Sequence, residues 1–148
     1  DHDGNGKFGT IGVVALDRKG NLAAATSTGG MTNKRYGRIG DSPVIGAGTY
    51  ADNATCAVSC TGYGEEFIRG VTAYDVAAKM RYLGDSLAKA ASDVVMDSLH
   101  QISGSGGLIA VDAQGNVVLP FNTEGMYRAW RTSAGNEGIA IFRDDQEF

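Results

Sequence analysis

The chain has 148 residues, 43% of them apolar, and its 13 lysines and arginines against 17 aspartates and glutamates give a net charge of −4. This length and composition predict one ordered globular domain. The negative charge argues against a nucleic-acid-binding protein, which needs a basic face. Two cysteines are too few for a disulfide scaffold or a zinc cluster. No apolar run approaches the roughly 20 residues that span a bilayer, and no signal peptide is visible.

The first residues read as a linker. Residues 1–9 are acidic and rich in glycine, with almost nothing that can pack, so they are expected to be flexible. Asp1, Asp3 and Asn5 match the start of a calcium-binding loop, but Gly12 stands where that loop needs a glutamate, so calcium binding is not expected. The chain lacks an initiator methionine, which indicates a fragment or a processed product. The expected compartment is the cytoplasm, with the periplasm left open.

A hairpin is predicted directly after this segment. Residues 10–16 are apolar on both alternating faces, which is typical of a strand covered on both sides, and residues 22–28 continue the strand pattern. Residues 17–21 between them suit a three-residue hairpin loop with glycine in the left-handed conformation. This register places Thr10 directly opposite Thr28.

Strands, then helices, then strands are predicted for the rest of the chain. The strands are residues 44–50, 55–61, 107–112, 116–121 and 138–143, and the helices are residues 65–69, 72–83 and 86–102. Thr72 is expected to cap the second helix and Gly84 to end it. Val76, Met80 and Leu83 form its predicted buried stripe. This order indicates an α+β fold in which a sheet packs on helices.

The usual catalytic residues are mostly missing. His2 lies in the linker, and His100 on a predicted helix is expected to pack or to face solvent. Cys56 and Cys60 share one face of a strand about 13 Å apart, too far for a disulfide, and are expected to be core residues. No residue spacing indicates a metal site.

Threonines and glycines remain as candidates. Thr10 stands at the junction of linker and strand, and Thr61 precedes a glycine-rich turn and a helix start, whose free N–H groups suit an oxyanion. A threonine hydroxyl needs a base. The α-amino group of the same residue, with a pKa of about 8, can serve if the chain is cut between Gly9 and Thr10. Taken alone, each threonine is more often an ordinary strand residue.

Four motifs in this order resemble one family. The motifs are GTIGVVALD at residues 9–17, TSTGGMTNK at 26–34, GRIGDSP at 37–43 and TGYGE at 61–65. They resemble the β-subunit of the isoaspartyl peptidase/L-asparaginase family, the plant-type asparaginases among the N-terminal nucleophile hydrolases. Residues 120–128 are similar to the bacterial members of that family. The chain departs from the family pattern in lacking most of the α-subunit.

The resemblance implies a four-layer αββα sandwich, of which this chain supplies about half. Residues 1–9 would be the tail of the α-subunit and residues 10–148 the β-subunit. It also implies self-cleavage of a precursor between Gly9 and Thr10, an (αβ)₂ heterotetramer with the α-subunit, and hydrolysis of L-asparagine and β-aspartyl (isoaspartyl) peptides. No cofactor or metal is implied, although a structural monovalent cation in the absent α-subunit is left open. Neither nucleic acid nor a membrane is an expected partner.

The same resemblance assigns the catalytic roles. Thr10 would be the nucleophile, its own amine would take the proton, and Thr28 would hydrogen-bond its hydroxyl. Thr61 Oγ and the Gly62 N–H would form the oxyanion hole, in which one donor is worth roughly 3 kcal/mol. Before the cut Thr10 has no free amine, and for the group that assists self-cleavage Thr28 is only a candidate.

Substrate binding is assigned in the same way. Arg38 would pair with the α-carboxylate of the substrate and Asp41 with its α-ammonium. The Gly64 carbonyl would also accept a hydrogen bond from that ammonium. The alternative for Arg38 and Asp41 is an ordinary surface salt bridge. Two other functions stay open: a glycosylasparaginase, disfavoured by the few cysteines, and an uncleaved, inactive half-protein that needs its α-subunit. The sequence does not rank asparagine against isoaspartyl peptides.

Overall fold

A computed structural model describes residues 8–143, so the linker and calcium-loop predictions for residues 1–7 lie outside it. Its strands are β1 Phe8–Leu16, β2 Leu22–Met31, β3 Thr49–Ala51, β4 Cys56–Gly62, β5 Gly106–Asp112, β6 Val117–Val118, β7 Gly125–Arg131 and β8 Glu137–Phe142. Its helices are α1 Gly64–Gly70, α2 Thr72–Ala78, α3 Leu87–Ser92 and α4 Leu99–Gln101, with π-helical turns at Lys79–Leu83 and Asp93–Ser98. Across the described residues, no helix is long and apolar enough to cross a membrane.

The hairpin β1–β2 has the register that the sequence predicts, with Thr10 opposite Thr28. Its turn is held by Asp17, whose Oδ1 accepts hydrogen bonds from the backbone N–H groups of Lys19 at 2.7 Å and Asn21 at 2.8 Å. Gly20 takes the left-handed conformation, with φ of +84°. Turn chemistry alone therefore fixes which threonines face each other.

The chain builds three layers around a four-stranded antiparallel sheet of order β3-β4-β5-β6. The helices cover one face of this sheet, and the hairpins β1–β2 and β7–β8 pack on the other. The helix-side core includes Val58, Cys60, Phe67, Val76, Leu99 and Leu108, and the hairpin-side clusters include Leu22, Ala57, Val111, Phe121 and Met126. The α+β prediction is confirmed, whereas the fourth layer of the expected sandwich is not formed by the described residues.

The outer face of β1 differs from the prediction. Ile11 and Val13 are 74% and 56% exposed, while Val14 and Leu16 on the inner face pack against the sheet. The expectation that both faces of this strand are covered is therefore wrong. No element within residues 8–143 packs against the outer face of β1.

The strand predicted at residues 44–50 is mostly turn. Only Thr49–Ala51 is extended, and the Ala47 N–H donates to the Val44 carbonyl. Gly46 has φ of +91°, which bends the chain before β3. An apolar run with glycines every second residue is here a turn and not a strand.

The strand β7 was not predicted because an arginine occupies one of its inward positions. Arg128 is buried, its Nη1 donates to the Met126 carbonyl at 2.8 Å, and its guanidinium lies 4.6 Å from the centre of the Phe121 ring. Stacking on an aromatic ring lets a cation stand where an apolar residue is expected.

The helix α2 begins differently from the prediction. Val71, in the left-handed conformation, precedes α2, and no side chain caps the helix. The Thr72 hydroxyl instead donates to the Phe67 carbonyl at 3.3 Å. The expected Thr72 cap is therefore wrong, because this hydroxyl bonds to a carbonyl of the preceding helix.

The end of the same helix shows the effect of a π-helical turn. Val76 is buried and Met80 packs against the core, but Leu83 is 69% exposed. The wider π-helical turn rotates Leu83 off the predicted stripe. Gly84, with φ of +72°, ends the helix as expected.

Candidate active site

The predicted nucleophile is part of a chain of hydroxyl groups. Thr10 Oγ donates to Thr28 Oγ at 3.3 Å, and the Thr28 hydroxyl donates to the Gly9 carbonyl at 3.0 Å. The Gly30 N–H donates to Thr28 Oγ at 3.0 Å. Residues 9 and 10 are continuous within β1, and the register with β2 shifts between Phe8 and Thr10. The Thr28 hydroxyl thus connects the Thr10 hydroxyl to the Gly9 carbonyl, which directly precedes Thr10.

This arrangement can activate the peptide bond between Gly9 and Thr10. The Thr28 hydroxyl accepts a hydrogen bond from Thr10 and donates one to the Gly9 carbonyl, so it is placed to relay a proton between them. The Thr10–Thr28 distance exceeds the typical O–H···O length of about 2.7–2.8 Å. Catalytic hydrogen bonds are often long before the reaction and shorten during it.

The predicted oxyanion residues lie at the end of β4. Thr61 and Thr10 line one groove, with a volume of about 580 Å³, on the hairpin side of the sheet. Gly62 pairs with Gly106 and has φ of +151°. A β-carbon at Gly62 would lie 2.3 Å from the Ser105 carbonyl oxygen. Only glycine fits this close approach of two backbones.

The predicted ammonium-binding residue is a buried carboxylate. Asp41 is 6% exposed, and its Oδ2 accepts no hydrogen bond from the described residues. A β-carbon at Gly64 would lie 2.8 Å from Asp41 Oδ1, so this glycine is needed beside the carboxylate. Burial raises the pKa of Asp41 above its ordinary value of 3.8, and Arg38 counteracts part of that rise. A buried carboxylate with an unpartnered oxygen favours a cationic ligand.

The predicted carboxylate-binding residue already has a partner. Arg38 Nε and Nη2 donate to the two carboxylate oxygens of Glu65 at 2.7 and 2.9 Å. This bond lowers the pKa of Glu65 below its ordinary value of 4.5. Sequence reasoning gave Glu65 no role, although an acidic residue in the first turn of α1 was visible beside the motif. A substrate carboxylate would share the guanidinium with Glu65.

The predicted site residues therefore form two groups. Gly9, Thr10 and Thr28 are joined by hydrogen bonds, and Thr61 lines the same groove as Thr10. The substrate-binding candidates make up a second group, which does not line that groove: Arg38, Asp41 and Gly64. Their individual roles stay predictions. In residues 8–143 no three His, Cys, Asp or Glu side chains are grouped to hold a metal ion.

Comparison with known proteins gives a consistent family. Residues 1–141 match the family model Asparaginase_2, described as asparaginase. The chain is 64% identical over 138 residues to the isoaspartyl peptidase of Escherichia coli strain K12, covering 93% of this chain and 43% of that protein. It is 43% identical over 139 residues to the isoaspartyl peptidase/L-asparaginase of Xenopus laevis, covering 94% of this chain and 41% of that protein.

The Arabidopsis thaliana relative, a probable isoaspartyl peptidase/L-asparaginase 2, is 51% identical over 133 residues, which cover 90% of this chain and 40% of the relative. The chain thus spans less than half the length of the curated relatives it matches. The family that its motifs predicted is confirmed: this chain belongs to the asparaginase family that includes the isoaspartyl peptidases.

Proposed function

We propose that this chain is the β-subunit part of an amidohydrolase that cleaves L-asparagine and β-aspartyl (isoaspartyl) peptides. Thr10 becomes its N-terminal nucleophile after self-cleavage between Gly9 and Thr10. The observation that carries the proposal is the hydroxyl chain from Thr10 through Thr28 to the Gly9 carbonyl. The names of the relatives support the same substrates.

Self-cleavage begins with attack of Thr10 Oγ on the Gly9 carbonyl carbon. The Thr10 hydroxyl proton passes to Thr28 Oγ, and the Thr28 proton passes to the carbonyl oxygen. The proton on that oxygen then passes to the Thr10 nitrogen as the C–N bond breaks, which frees the Thr10 amine and leaves an ester between Gly9 and Thr10 Oγ. Water hydrolyses this ester to a Gly9 carboxylate and a free Thr10 hydroxyl. The Thr28 hydroxyl accepts one proton and gives up another, so this relay uses no histidine.

Hydrolysis of the substrate uses the same atoms. The Thr10 amine accepts the hydroxyl proton, Oγ attacks the side-chain carbonyl carbon, and ammonia or a peptide amine leaves with that proton. Water then hydrolyses the β-aspartyl ester. Thr61 Oγ and the Gly62 N–H stabilise the oxyanion, while Arg38 and Asp41 hold the α-carboxylate and α-ammonium.

Exposed apolar side chains on this chain support an interface with the rest of the precursor. The exposed apolar side chains on β1 and on the hairpin β7–β8 include Ile11, Val13, Tyr127 and Ile139, and the groove beside Thr10 runs between β1 and β7. An N-terminal half that covers this face supplies the fourth layer, in an (αβ)₂ assembly. A solution mass equal to a single αβ unit would contradict that assembly.

Three expectations accompany this proposal. No cofactor is required by the chemistry above, and a monovalent cation site in the N-terminal half is left open. The cytoplasm stays the expected compartment. Intact mass of the precursor purified with and without potassium, and fractionation of expressing cells, test these expectations.

Replacing Thr10 with alanine tests the function. In the full-length precursor, we expect Thr10→Ala to give an uncut chain with no ammonia release from L-asparagine. Thr10→Ser keeps a hydroxyl and retains measurable cleavage and turnover. Thr32→Ala, in the exposed loop after β2, serves as the control that cleaves like the parent.

Intact mass and hydrolysis of a β-aspartyl dipeptide are the two measurements. A Thr10→Ala chain that still hydrolyses the dipeptide, or an active parent that keeps Gly9 joined to Thr10, contradicts the proposal. Turnover of a glycosylated asparagine in place of both substrates favours the glycosylasparaginase alternative.

A further inference from the structure

A second set of small residues lies beneath Thr10, Thr28 and Thr61, further along the same three strands. Each strand that carries a threonine of the candidate site carries a member of this set two residues deeper: Gly12 on β1, Thr26 on β2 and Ser59 on β4. Alternate residues of a strand share a face, so the set lies on the same faces as the threonines, about 7 Å away along each strand.

Two members of the set, Thr26 and Ser59, are joined by a hydrogen bond whose direction follows from a neighbouring carbonyl. Thr26 Oγ lies 2.7 Å from Ser59 Oγ and 3.1 Å from the Gly48 carbonyl oxygen. A carbonyl can only accept, so the single hydroxyl hydrogen of Thr26 goes to Gly48, and Ser59 must donate to Thr26. The Gly48 carbonyl also accepts from the Cys60 N–H at 2.9 Å.

The close approach of β1 to β4 at this point depends on a glycine. Gly12 lies opposite Thr26 in the hairpin. A β-carbon at Gly12 would lie 2.2 Å from Ser59 Oγ, and Ser59 is 3% exposed. The β1 backbone at Gly12 therefore packs directly on Ser59, whereas Thr26 is half-buried.

The same bonds reach the substrate-binding group. A β-carbon at Gly48 would lie 2.7 Å from Asp41 Oδ2, so the Gly48 backbone packs against the buried carboxylate. Through Gly48, Thr26 and Ser59, three segments are held together: the hairpin with Thr10, the strand with Thr61 and the loop with Asp41.

We propose that Thr26 and Ser59 are positioning residues. They fix strand β1, which carries the nucleophile, relative to strand β4, which carries the oxyanion residues, and relative to Asp41, the ammonium-binding residue. This inference rests on the proposed function. Further along the hairpin–sheet interface the side-chain contacts are apolar, as at Leu22 and Val111, and the Leu22 N–H donates to Asn53 Oδ1 at 2.7 Å at the far end of β2. Apolar contacts are non-directional and allow sliding, whereas hydrogen bonds between hydroxyl groups set one register.

The test compares Thr26→Val with Thr26→Ser in the full-length precursor. Valine keeps the shape and removes the hydroxyl; serine keeps the hydroxyl. We expect Thr26→Val to lower kcat and the self-cleavage rate by roughly 10- to 100-fold, because misplacement by about 1 Å costs that much. KM changes by less than about threefold, since the Gly48 carbonyl keeps its bond from Cys60. Thr26→Ser stays close to the parent.

Controls separate positioning from stability. Leu22→Ala weakens the apolar half of the same interface and should lower the melting temperature while kcat stays within about twofold of the parent. Ser59→Ala leaves the Thr26–Gly48 bond and should lose less kcat than Thr26→Val.

The outcomes are distinct from those of the proposed function. An active parent whose Thr26→Val variant keeps full kcat, or whose Thr26→Ser variant is equally impaired, overturns the positioning role. An inactive parent overturns the proposed function instead. Crystal structures then decide the inference: a shifted Thr10–Thr61 separation in Thr26→Val supports it, and an unchanged separation overturns it.

Discussion

The two faces of strand β4 carry different chemistry within seven residues. Cys56, Val58 and Cys60 face the helices and are completely buried among apolar side chains. Ser59 and Thr61 face the hairpins and carry hydroxyl groups. One face supplies cohesion and the other carries hydroxyl groups of the candidate site, so stability and activity are expected to respond separately to substitutions on the two sides.

The largest expected effect on the helix side comes from Leu108→Ala. Leu108 pairs with Cys60 and is completely buried, so its truncation should lower the free energy of unfolding by about 2–5 kcal/mol. Urea unfolding of the full precursor measures this loss. Ile109→Ala, at the half-buried next position on the other face, is the matched control with a smaller loss. A Leu108→Ala variant that loses its kcat while its stability is unchanged would contradict the division between the two faces of the sheet.

The hairpin side is tested by Thr61→Val. Loss of one oxyanion donor should lower kcat by roughly 10²- to 10³-fold, with unfolding changed by less than about 1 kcal/mol. Thr61→Ser keeps the donor and most of the activity. Steady-state kinetics on the cleaved enzyme measure the effect. Parent-like turnover in Thr61→Val would remove this residue from the oxyanion site.

The smallest effect concerns the two thiols on the helix side. Burial raises the pKa of Cys56 from 9.0 to about 12, and that of Cys60 well above 9.0. Because the unfolded thiols ionise first, their contribution to stability is complete below about pH 9 and declines as the pH rises. The pH dependence of urea unfolding measures this decline. In Cys56→Ala/Cys60→Ala the decline should be shallower, and an identical decline would refute the assignment.

The sequence predicted what short-range chemistry determines. The hairpin register follows from Asp17 and Gly20, and it brings Thr10 and Thr28 together without knowledge of any distant contact. The fold of β7 could not be predicted, because the burial of Arg128 depends on an aromatic ring from another segment.

The candidate site also combines features that the sequence predicts with contacts that it does not predict. Its threonines stand out in the sequence because each begins or ends a predicted strand. The pairing of Arg38 with Glu65 and the contact of Thr26 with Ser59 join residues 27 and 33 positions apart. Such contacts are set by tertiary packing and leave no periodic signal in the sequence.

The open outer face of β1 has a consequence for the order of synthesis. In a precursor made as one chain, the N-terminal half leaves the ribosome first and can fold before β1 emerges. The hairpin β1–β2 can then pack against the folded N-terminal half as soon as it is synthesised. This avoids self-association of exposed apolar strands. Under the proposed self-cleavage, scission after folding would free the amine of Thr10 while Ile11 and Val13 stay covered.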